Sequence, residues 1–154
     1  MFGRKEKANS VYWRDAKGTV YCPGDSCPKK KCPEDCPVSI NTKALMCYQM
    51  GLEDEALKLY LEALKIAPDF YDPWNNMGAI LGGRGHYEKA YDCYSHAHEI
   101  LPEKTPPMYG MALTCRDMKR YDECLKWCDE YDKRNKDHGL DGVREQAMKA
   151  KGGK

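Results

Sequence analysis

The stretch WNNMGAILGGRGHYEKAYDCYSHAHEILP, residues 74–102, decides how this chain folds. It contains two runs of apolar residues on either side of a glycine-rich centre that ends at Gly85. The apolar positions are Trp74, Met77, Gly78 and Leu81 in the first run, and Tyr87, Ala90, Tyr91, Tyr94 and Ala97 in the second. A spacing of i, i+3, i+4, i+7 places side chains on one helical face, and glycine is typical of the point where a helix ends. The stretch therefore predicts two short helices joined by a tight turn.

The same pattern recurs along the chain at an offset of 34 residues. The residues that it aligns are Gly51 with Gly85, Ala56 with Ala90, Tyr60 with Tyr94, Ala63 with Ala97, and Pro68 with Pro102. A second shift brings in the last part of the chain, where Tyr121 aligns with Tyr87 and Cys124 with Ala90. Units of this length stack one helix pair on the preceding pair. The register therefore predicts three repeats, at residues 37–70, 71–104 and 105–138.

These units resemble the tetratricopeptide repeat (TPR), and the middle unit matches it best. Its matching residues are Trp74, Met77, Gly78, Leu81, Gly85, His86, Tyr87, Ala90, Tyr94, Ala97 and Pro102. The outer units depart from the family pattern at Lys43, where an apolar residue is expected, and at Lys119, Tyr131 and Lys136, where glycine, alanine and proline are usual. End units are often degenerate because they have a neighbour on one side only. The resemblance implies a mainly α fold, a solenoid of helix-turn-helix units.

Segments outside the repeats complete the predicted organisation. Residues 1–10 are expected to be a flexible N-terminus, and residues 11–36 to form a small Cys-rich β-hairpin and knuckle. Residues 139–154 are expected to form a capping helix and tail that cover the last apolar face with Leu140, Val143 and Met148.

Helix boundaries follow from local sequence. Asp72-Pro73 and Thr105-Pro106 each combine a capping side chain with a proline, which is typical of the first turn of a helix. Gly51 and Gly85 are predicted to stand where a helix stops and the chain turns.

A binding surface is expected where the first helix of each repeat lines the inner face of the stack, as the resemblance implies. Its candidate residues lie one position beyond the apolar stripe, and they are Asn41, Leu45, Tyr48, Asn75, Ala79, Gly82, Tyr109, Leu113 and Arg116. We interpret this stripe as a shallow trough with aromatic walls that takes an extended or helical peptide of a protein partner. The alternative is a surface for interdomain contact or self-association.

One specific partner is disfavoured by the residues at that surface. Relatives that bind chaperone tails clamp a terminal carboxylate with lysine, asparagine and arginine on successive first helices. Asn76 matches one clamp position, but Leu45, Pro106 and Gly110 stand at others. The sequence therefore does not predict a chaperone-tail clamp.

Four of the nine cysteines fall within 15 residues, and each is followed by proline: Cys22, Cys27, Cys32 and Cys36. So polar a segment needs a cross-link to fold, and four thiolates are typical of tetrahedral Zn²⁺. The spacing differs from the paired Cys-x2-Cys of familiar zinc sites, so disulfides or redox-active thiols, iron–sulfur ligation and no cross-link stay open. The leading expectation is a zinc site at these four residues.

The other cysteines have a structural interpretation. Cys47, Cys115, Cys124 and Cys128 fall at core positions of the repeats, whereas Cys93 falls off the register and is expected to be exposed. His96 and His98 are two residues apart, so they are expected on different, solvated sides of a helix.

Charge and motifs narrow the function. The chain has 154 residues, 25 basic and 24 acidic, with no secretory signal and no long apolar run, so a cytoplasmic location is expected. No phosphate loop or paired nucleophile and base occurs, so the chain is predicted to be a non-enzymatic adaptor or scaffold that binds a protein or peptide. One alternative is a nucleic-acid-binding module that uses Tyr12, Trp13, Arg14 and Lys29–Lys31 beside the zinc knuckle. The other is a thiol redox sensor.

Overall fold

The computed structural model describes residues 3–4, 13–14, 20–21 and 36–153, the last of these ranges with its side chains. Its helices, in chain order, are α1 Pro37–Gln49, α2 Glu53–Ile66, α3 Tyr71–Gly83, α4 Tyr87–Ile100, α5 Pro106–Asp117, α6 Tyr121–Asp132 and α7 Asp141–Gly152. The prediction of a mainly α-helical chain is confirmed. None of these helices combines the length and the apolar character that are needed to cross a membrane.

Short strands precede the helices. They are β1 Gly3–Arg4, β2 Trp13–Arg14 and β3 Val20–Tyr21, and they form an antiparallel sheet in the order β1-β2-β3. Trp13 is paired with Arg4 on one side and Tyr21 on the other. The remainder of the predicted hairpin and knuckle lies outside the described residues, so the Cys-rich module stays a prediction.

The chain divides into two compact units, Met1–Pro73 and Trp74–Lys154. In the first unit, α1 packs on α2. The buried residues are Ile40 and Ala44 on α1, and Ala56, Tyr60 and Ala63 on α2. Their spacing of three and four places them on one face of each helix, which is why this short pair has a shared apolar interior.

The second unit contains two buried clusters. The larger one joins α5, α6 and α7 through Met108, Ala112, Cys115, Cys124, Cys128, Tyr131, Leu140, Val143 and Ala147. The smaller one joins α4 and α5 through Ala90, Tyr94 and Met111, with Leu81, Tyr91 and Trp127 packed against it. Each helix of this unit therefore has its apolar stripe covered by helices that are close in the chain.

The ring of Tyr94 on α4 lies against two glycines of neighbouring helices. A Cβ atom built on Gly78 of α3 would stand 2.8 Å from Tyr94 Cδ1, and one built on Gly110 of α5 would stand 2.3 Å from Tyr94 Cζ. Both distances are far shorter than a carbon–carbon contact. The absence of a side chain at both positions therefore lets the tyrosine fill the space between these helices.

Three helix pairs are joined by the same turn. Gly51, Gly85 and Lys119 have φ angles of 78°, 77° and 60°. In each turn the following residue donates its backbone N–H to the carbonyl five positions earlier, as in Leu52 to Cys47 at 2.9 Å. This bond pattern closes the C-terminus of a helix and needs a left-handed residue. Gly51 and Gly85 supply it as predicted, and Lys119 supplies it at a steric cost.

Replacing Lys119 by glycine is expected to raise the free energy of unfolding by about 0.5–1 kcal/mol. An L-residue in the left-handed region costs about 1–2 kcal/mol, which glycine avoids. Glycine loses more backbone entropy on folding, and this loss cancels part of the gain in stability. Urea unfolding followed by circular dichroism measures the change. The control is Lys126→Gly in α6, where the φ is helical and the same substitution lowers stability by about 1 kcal/mol. A loss of stability in both variants would contradict the strain at Lys119.

The predicted helix starts are correct at one site and wrong at the other. Helix α5 begins at Pro106 after Thr105, as expected, although the Thr105 hydroxyl accepts a hydrogen bond from Asn135 Nδ2 at 3.2 Å and does not cap its own helix. Helix α3 begins at Tyr71, so that Asp72 and Pro73 lie inside its first turn. Proline is tolerated there because the first N–H groups of a helix have no intrahelical acceptor.

The expected end helix is α7, which packs on α5 and α6. Leu140 and Val143 are buried as predicted, but Met148 is 53% exposed and Ala147 is buried in its place. The reason is the helical period, since Ala147 follows Val143 by four residues and Met148 by five. Arg144 links this helix to α6 through Asp129 and Asp132, each at 2.5 Å.

Candidate peptide-binding surface

In the first unit, the predicted stripe lies on α1. Leu45 and Tyr48 are each 38% exposed. Asn41 is half-buried, and its Oδ1 atom is buried without a donor among the described residues. This part of α1 therefore presents apolar and aromatic surface beside an amide.

In the second unit, the stripe begins on α3 with small residues. Asn75 repeats the situation of Asn41, since its Oδ1 atom is also buried and accepts no hydrogen bond within residues 36–153. Ala79 is exposed, and Gly82 is half-buried. A Cβ on Gly82 would stand 3.7 Å from that of Ala90 and 4.0 Å from Thr114 Cγ2, which is ordinary contact. This helix therefore offers an amide beside a surface with short side chains.

Tyr109 on α5 is exposed yet held in place. Its ring centroid lies 5.9 Å from that of Tyr131 at an interplanar angle of 57°, and 38% of Tyr109 stays accessible. Tyr131 is itself buried and donates its hydroxyl to Asp137 Oδ2 at 3.0 Å. Hydrogen bonds from the Gly139 N–H and this hydroxyl lower the pKa of Asp137. The ring of Tyr131, held by its hydrogen bond to Asp137, therefore packs behind the accessible face of Tyr109.

Two further stripe residues lie one and two turns along α5. Leu113 is half-buried against the larger core cluster. Arg116 donates through Nε to Asp117 Oδ1 at 2.7 Å and through Nη1 to Gln146 Oε1 at 3.4 Å. The hydrogen bond with Asp117 raises the pKa of Arg116. Arg116 therefore carries a permanent charge in a position shared by α5 and α7.

Helix α7 adds surface that sequence reasoning missed. Asp141, Glu145 and Met148 are exposed on it, and with Arg144 and Lys149 they line an open depression of about 480 Å³. The signal was present in the sequence, because these residues follow the buried positions Leu140 and Val143 at the same helical spacing as the stripes on the earlier helices. Met148 was instead predicted to be buried.

The repeat pattern is matched by known proteins. The family described as tetratricopeptide repeat matches residues 39–70 and residues 59–92. Residues 39–92 of this chain therefore contain tetratricopeptide repeats. The remaining helix pair, α5 with α6, has the same turn and packs on the repeat before it.

Solved tetratricopeptide structures show the same fold. The TPR2B domain of yeast Sti1, in a complex with pHsp70, superposes with a TM-score of 0.66 at 18% identity, over 73% of this chain and 96% of that one. The Sgt2 TPR domain from Aspergillus fumigatus gives a TM-score of 0.63 at 20% identity, over 75% of this chain and 76% of that one. The peroxisomal targeting signal receptor of Candida albicans is 29% identical over 73 residues. That match spans 47% of this chain and 12% of the receptor.

The cysteines of this chain differ in burial where the structure describes them. Cys22, Cys27 and Cys32 lie outside the described residues, whereas Cys36 is buried immediately before α1. No group of three or more His, Cys, Asp or Glu residues that could hold a metal occurs in the described part. Cys115, Cys124 and Cys128 are fully buried, as predicted for core positions, but Cys47 is only half-buried.

Two predictions about exposure are wrong. Cys93 is buried, and burial raises the pKa of its thiol to about 11. It lies three residues after Ala90 and four before Ala97, so it shares their face of α4. His98 is half-buried, because its ring packs edge-on against Trp127 at a centroid distance of 5.3 Å. Burial lowers the pKa of His98.

Proposed function

We propose that the chain is a non-enzymatic adaptor of the cytoplasm that binds a protein partner through the stripe on its first helices. The observation that carries the proposal is Tyr109, whose aromatic face is accessible while Tyr131 holds its ring from behind. Exposed aromatic residues with fixed rotamers bind at low entropic cost and are frequent centres of binding energy. The names of two similar proteins, a targeting signal receptor and a complex with pHsp70, support binding of a peptide or protein.

The stripe suits an extended peptide in its polar groups as well. Asn41 and Asn75 each have an amide oxygen without a donor, and an unpaired buried acceptor costs about 1–3 kcal/mol. A bound peptide would supply that donor only after the amide turned outward, because both oxygen atoms are buried. Arg116 adds a guanidinium group whose charge is balanced by Asp117 at 2.7 Å. We do not propose a clamped chaperone carboxylate, because Leu45 and Pro106 stand at clamp positions and Gly110 lies against Tyr94.

Replacing Tyr109 by alanine is expected to weaken peptide binding by about tenfold or more, since it removes the accessible aromatic face. The ligands are peptides selected from a displayed random library on the wild-type chain, and titration calorimetry measures their affinity. Tyr48→Ala is expected to act in the same direction. The matched control is Tyr87→Ala on α4, outside the stripe, which should leave affinity unchanged. Peptides that bind the Tyr109→Ala chain as tightly as the wild type would contradict this surface.

We also propose that Cys22, Cys27, Cys32 and Cys36 hold one structural Zn²⁺ ion. Cys36, the member of this set that the structure describes, supports the proposal. Cys36 is a buried free cysteine with an extended backbone at the N-cap of α1. Zinc there would tie the N-terminal segment to the first helix.

Protein purified without added metal is expected to contain about one zinc per chain, because four thiolates bind this ion tightly. Elemental analysis of the intact chain measures the ratio. Cys36→Ser should lower this ratio, whereas Cys47→Ser, within α1, should not. A chain that is fully folded and free of metal would show that the cysteines have another role.

A further inference from the structure

Helices α5 and α7 run side by side at one end of the candidate binding surface. Arg116 Nη1 of α5 donates to Gln146 Oε1 of α7 at 3.4 Å. Two turns earlier, the ring of Tyr109 packs on that of Tyr131, and a Cβ built on Gly139, just before α7, would stand 3.1 Å from the Tyr131 hydroxyl. Tyr109 and Arg116 are seven residues apart, as are Gly139 and Gln146. The two segments therefore run in the same direction and in register over this stretch.

The middle of the stretch on α7 is Gly142. It precedes Gln146 by four residues, so both lie on the same side of α7, the side that contacts α5. The register of Arg116 with Gln146 places Gly142 beside the turn of α5 that contains Leu113. We define the α5–α7 cleft as the surface formed by Tyr109, Leu113, Arg116, Gly142 and Gln146.

Neither packing nor backbone geometry requires a glycine at residue 142. A Cβ there would meet nothing within 4 Å, whereas one built on Gly110 would collide with Tyr94. Its φ angle is not positive, unlike those of Gly51 and Gly85. Glycine within a helix costs up to about 1 kcal/mol relative to alanine, and residues that break a local preference without a packing reason are expected at functional sites. The result of this glycine is open space beside α5.

The side chains around this space are mainly apolar. The ring of Tyr109 is 38% exposed, and Leu113 is half-buried against the core beneath it. The guanidinium of Arg116 is balanced by Asp117 Oδ1 at 2.7 Å, so α5 presents no unbalanced charge to the cleft. A site with apolar sides and paired polar groups at its edge suits a neutral apolar side chain better than a charged one.

We propose that the α5–α7 cleft is a subsite for one bulky apolar side chain, branched or aromatic, of the bound peptide. This inference rests on the proposed binding of a peptide and adds the type of residue that the peptide presents at this end of the surface. The side chain fills the space left open at Gly142 and contacts Tyr109 and Leu113. Helix α7 is then part of the binding surface as well as the cover of the last repeat.

Titration calorimetry of the full chain with a peptide selected from a displayed random library tests the subsite. Gly142→Leu is expected to weaken binding by about tenfold or more, because the new side chain occupies the space of the peptide's own. The matched control is Gly152→Leu at the other end of α7, where a Cβ also meets nothing within 4 Å and affinity should be unchanged. Circular dichroism verifies that both variants are folded.

An alanine scan of the same peptide identifies the side chain in the cleft. One apolar residue of the peptide is expected to contribute strongly to binding of the wild type and little to binding of Gly142→Leu, because both changes remove the same contact. A charged residue that behaves in this way, or no residue at all, would overturn the proposal.

The remaining contrary results separate the subsite from the proposed function. Unchanged affinity of Gly142→Leu, together with weakened binding by Tyr109→Ala, would overturn the subsite and leave the binding surface in place. A wild-type chain that selects no peptide would contradict the proposed function and the subsite together.

Discussion

The Gly110→Ala variant is expected to lose about 3 kcal/mol of unfolding free energy. The new methyl group would stand 2.3 Å from Tyr94 Cζ, and the ring has Gly78 on α3 as a second close neighbour. The ring cannot yield to the methyl group without disturbing α3 as well, and overpacking of a core costs about 1–3 kcal/mol. Urea unfolding monitored by circular dichroism measures the loss, which amounts to a large part of the stability of a small domain.

The control for this variant is Gly142→Ala on α7. A Cβ there meets nothing within 4 Å, so the substitution should stabilise its helix by up to about 1 kcal/mol. A second comparison combines Gly110→Ala with Tyr94→Leu, which makes room for the methyl group. The two changes together should cost less than their sum, because they act on one contact. Equal effects of Gly110→Ala and Gly142→Ala on the free energy of unfolding would show that the close contact with Tyr94 does not determine the cost of a methyl group at residue 110.

The Leu140→Ala variant is expected to lose about 2–5 kcal/mol and to release α7. Leu140 is fully buried at the start of α7, in the cluster that contains Cys115, Cys124 and Cys128. Its removal leaves a cavity between α7 and the helices beneath it. Stability is measured by urea unfolding, and the opening of α7 by the rate at which these thiols react with a disulfide reagent.

The thiols provide a sensitive readout because they are protected in the folded chain. All three are fully buried, and burial raises the pKa of Cys115 to about 12. Met148→Ala is the control, since this residue lies on the same helix but is exposed, and its loss should change neither stability nor thiol reactivity. Unchanged reactivity in Leu140→Ala would show that α7 does not cover the cysteines.

The sequence predicted the helices because their apolar residues repeat with the helical period and the repeats share one register. Close contacts between helices were harder to predict. Gly78 was identified because it stands at a family position, whereas the packing of Gly110 depends on a ring from another helix, and no local signal reveals it. The burial of Cys93 could have been read from its spacing to Ala90 and Ala97. The repeat register does not reveal this burial, because Cys93 falls off its apolar positions.

The candidate surface was likewise only partly predictable from the sequence. Its members on α1, α3 and α5 were predicted, because each lies one residue beyond an apolar position and therefore about 100° around the helix from it. The support of Tyr109 by Tyr131 was not predicted, since Tyr131 was noted only as a departure from the family pattern. The contact of Arg116 with Gln146 joins residues 30 positions apart and follows from how α7 packs. Such pairs depend on tertiary structure, which a single sequence does not encode locally.

The packing of the second unit has a kinetic consequence. Helices α4, α5, α6 and α7 make their main contacts with helices next to them in the chain. Such contacts form without the closure of long loops, which is the slow and entropically costly part of folding. We therefore expect residues 74–153 to refold rapidly. The route has no obligatory first step at either end, because any neighbouring pair of helices can serve as the nucleus on which the others assemble.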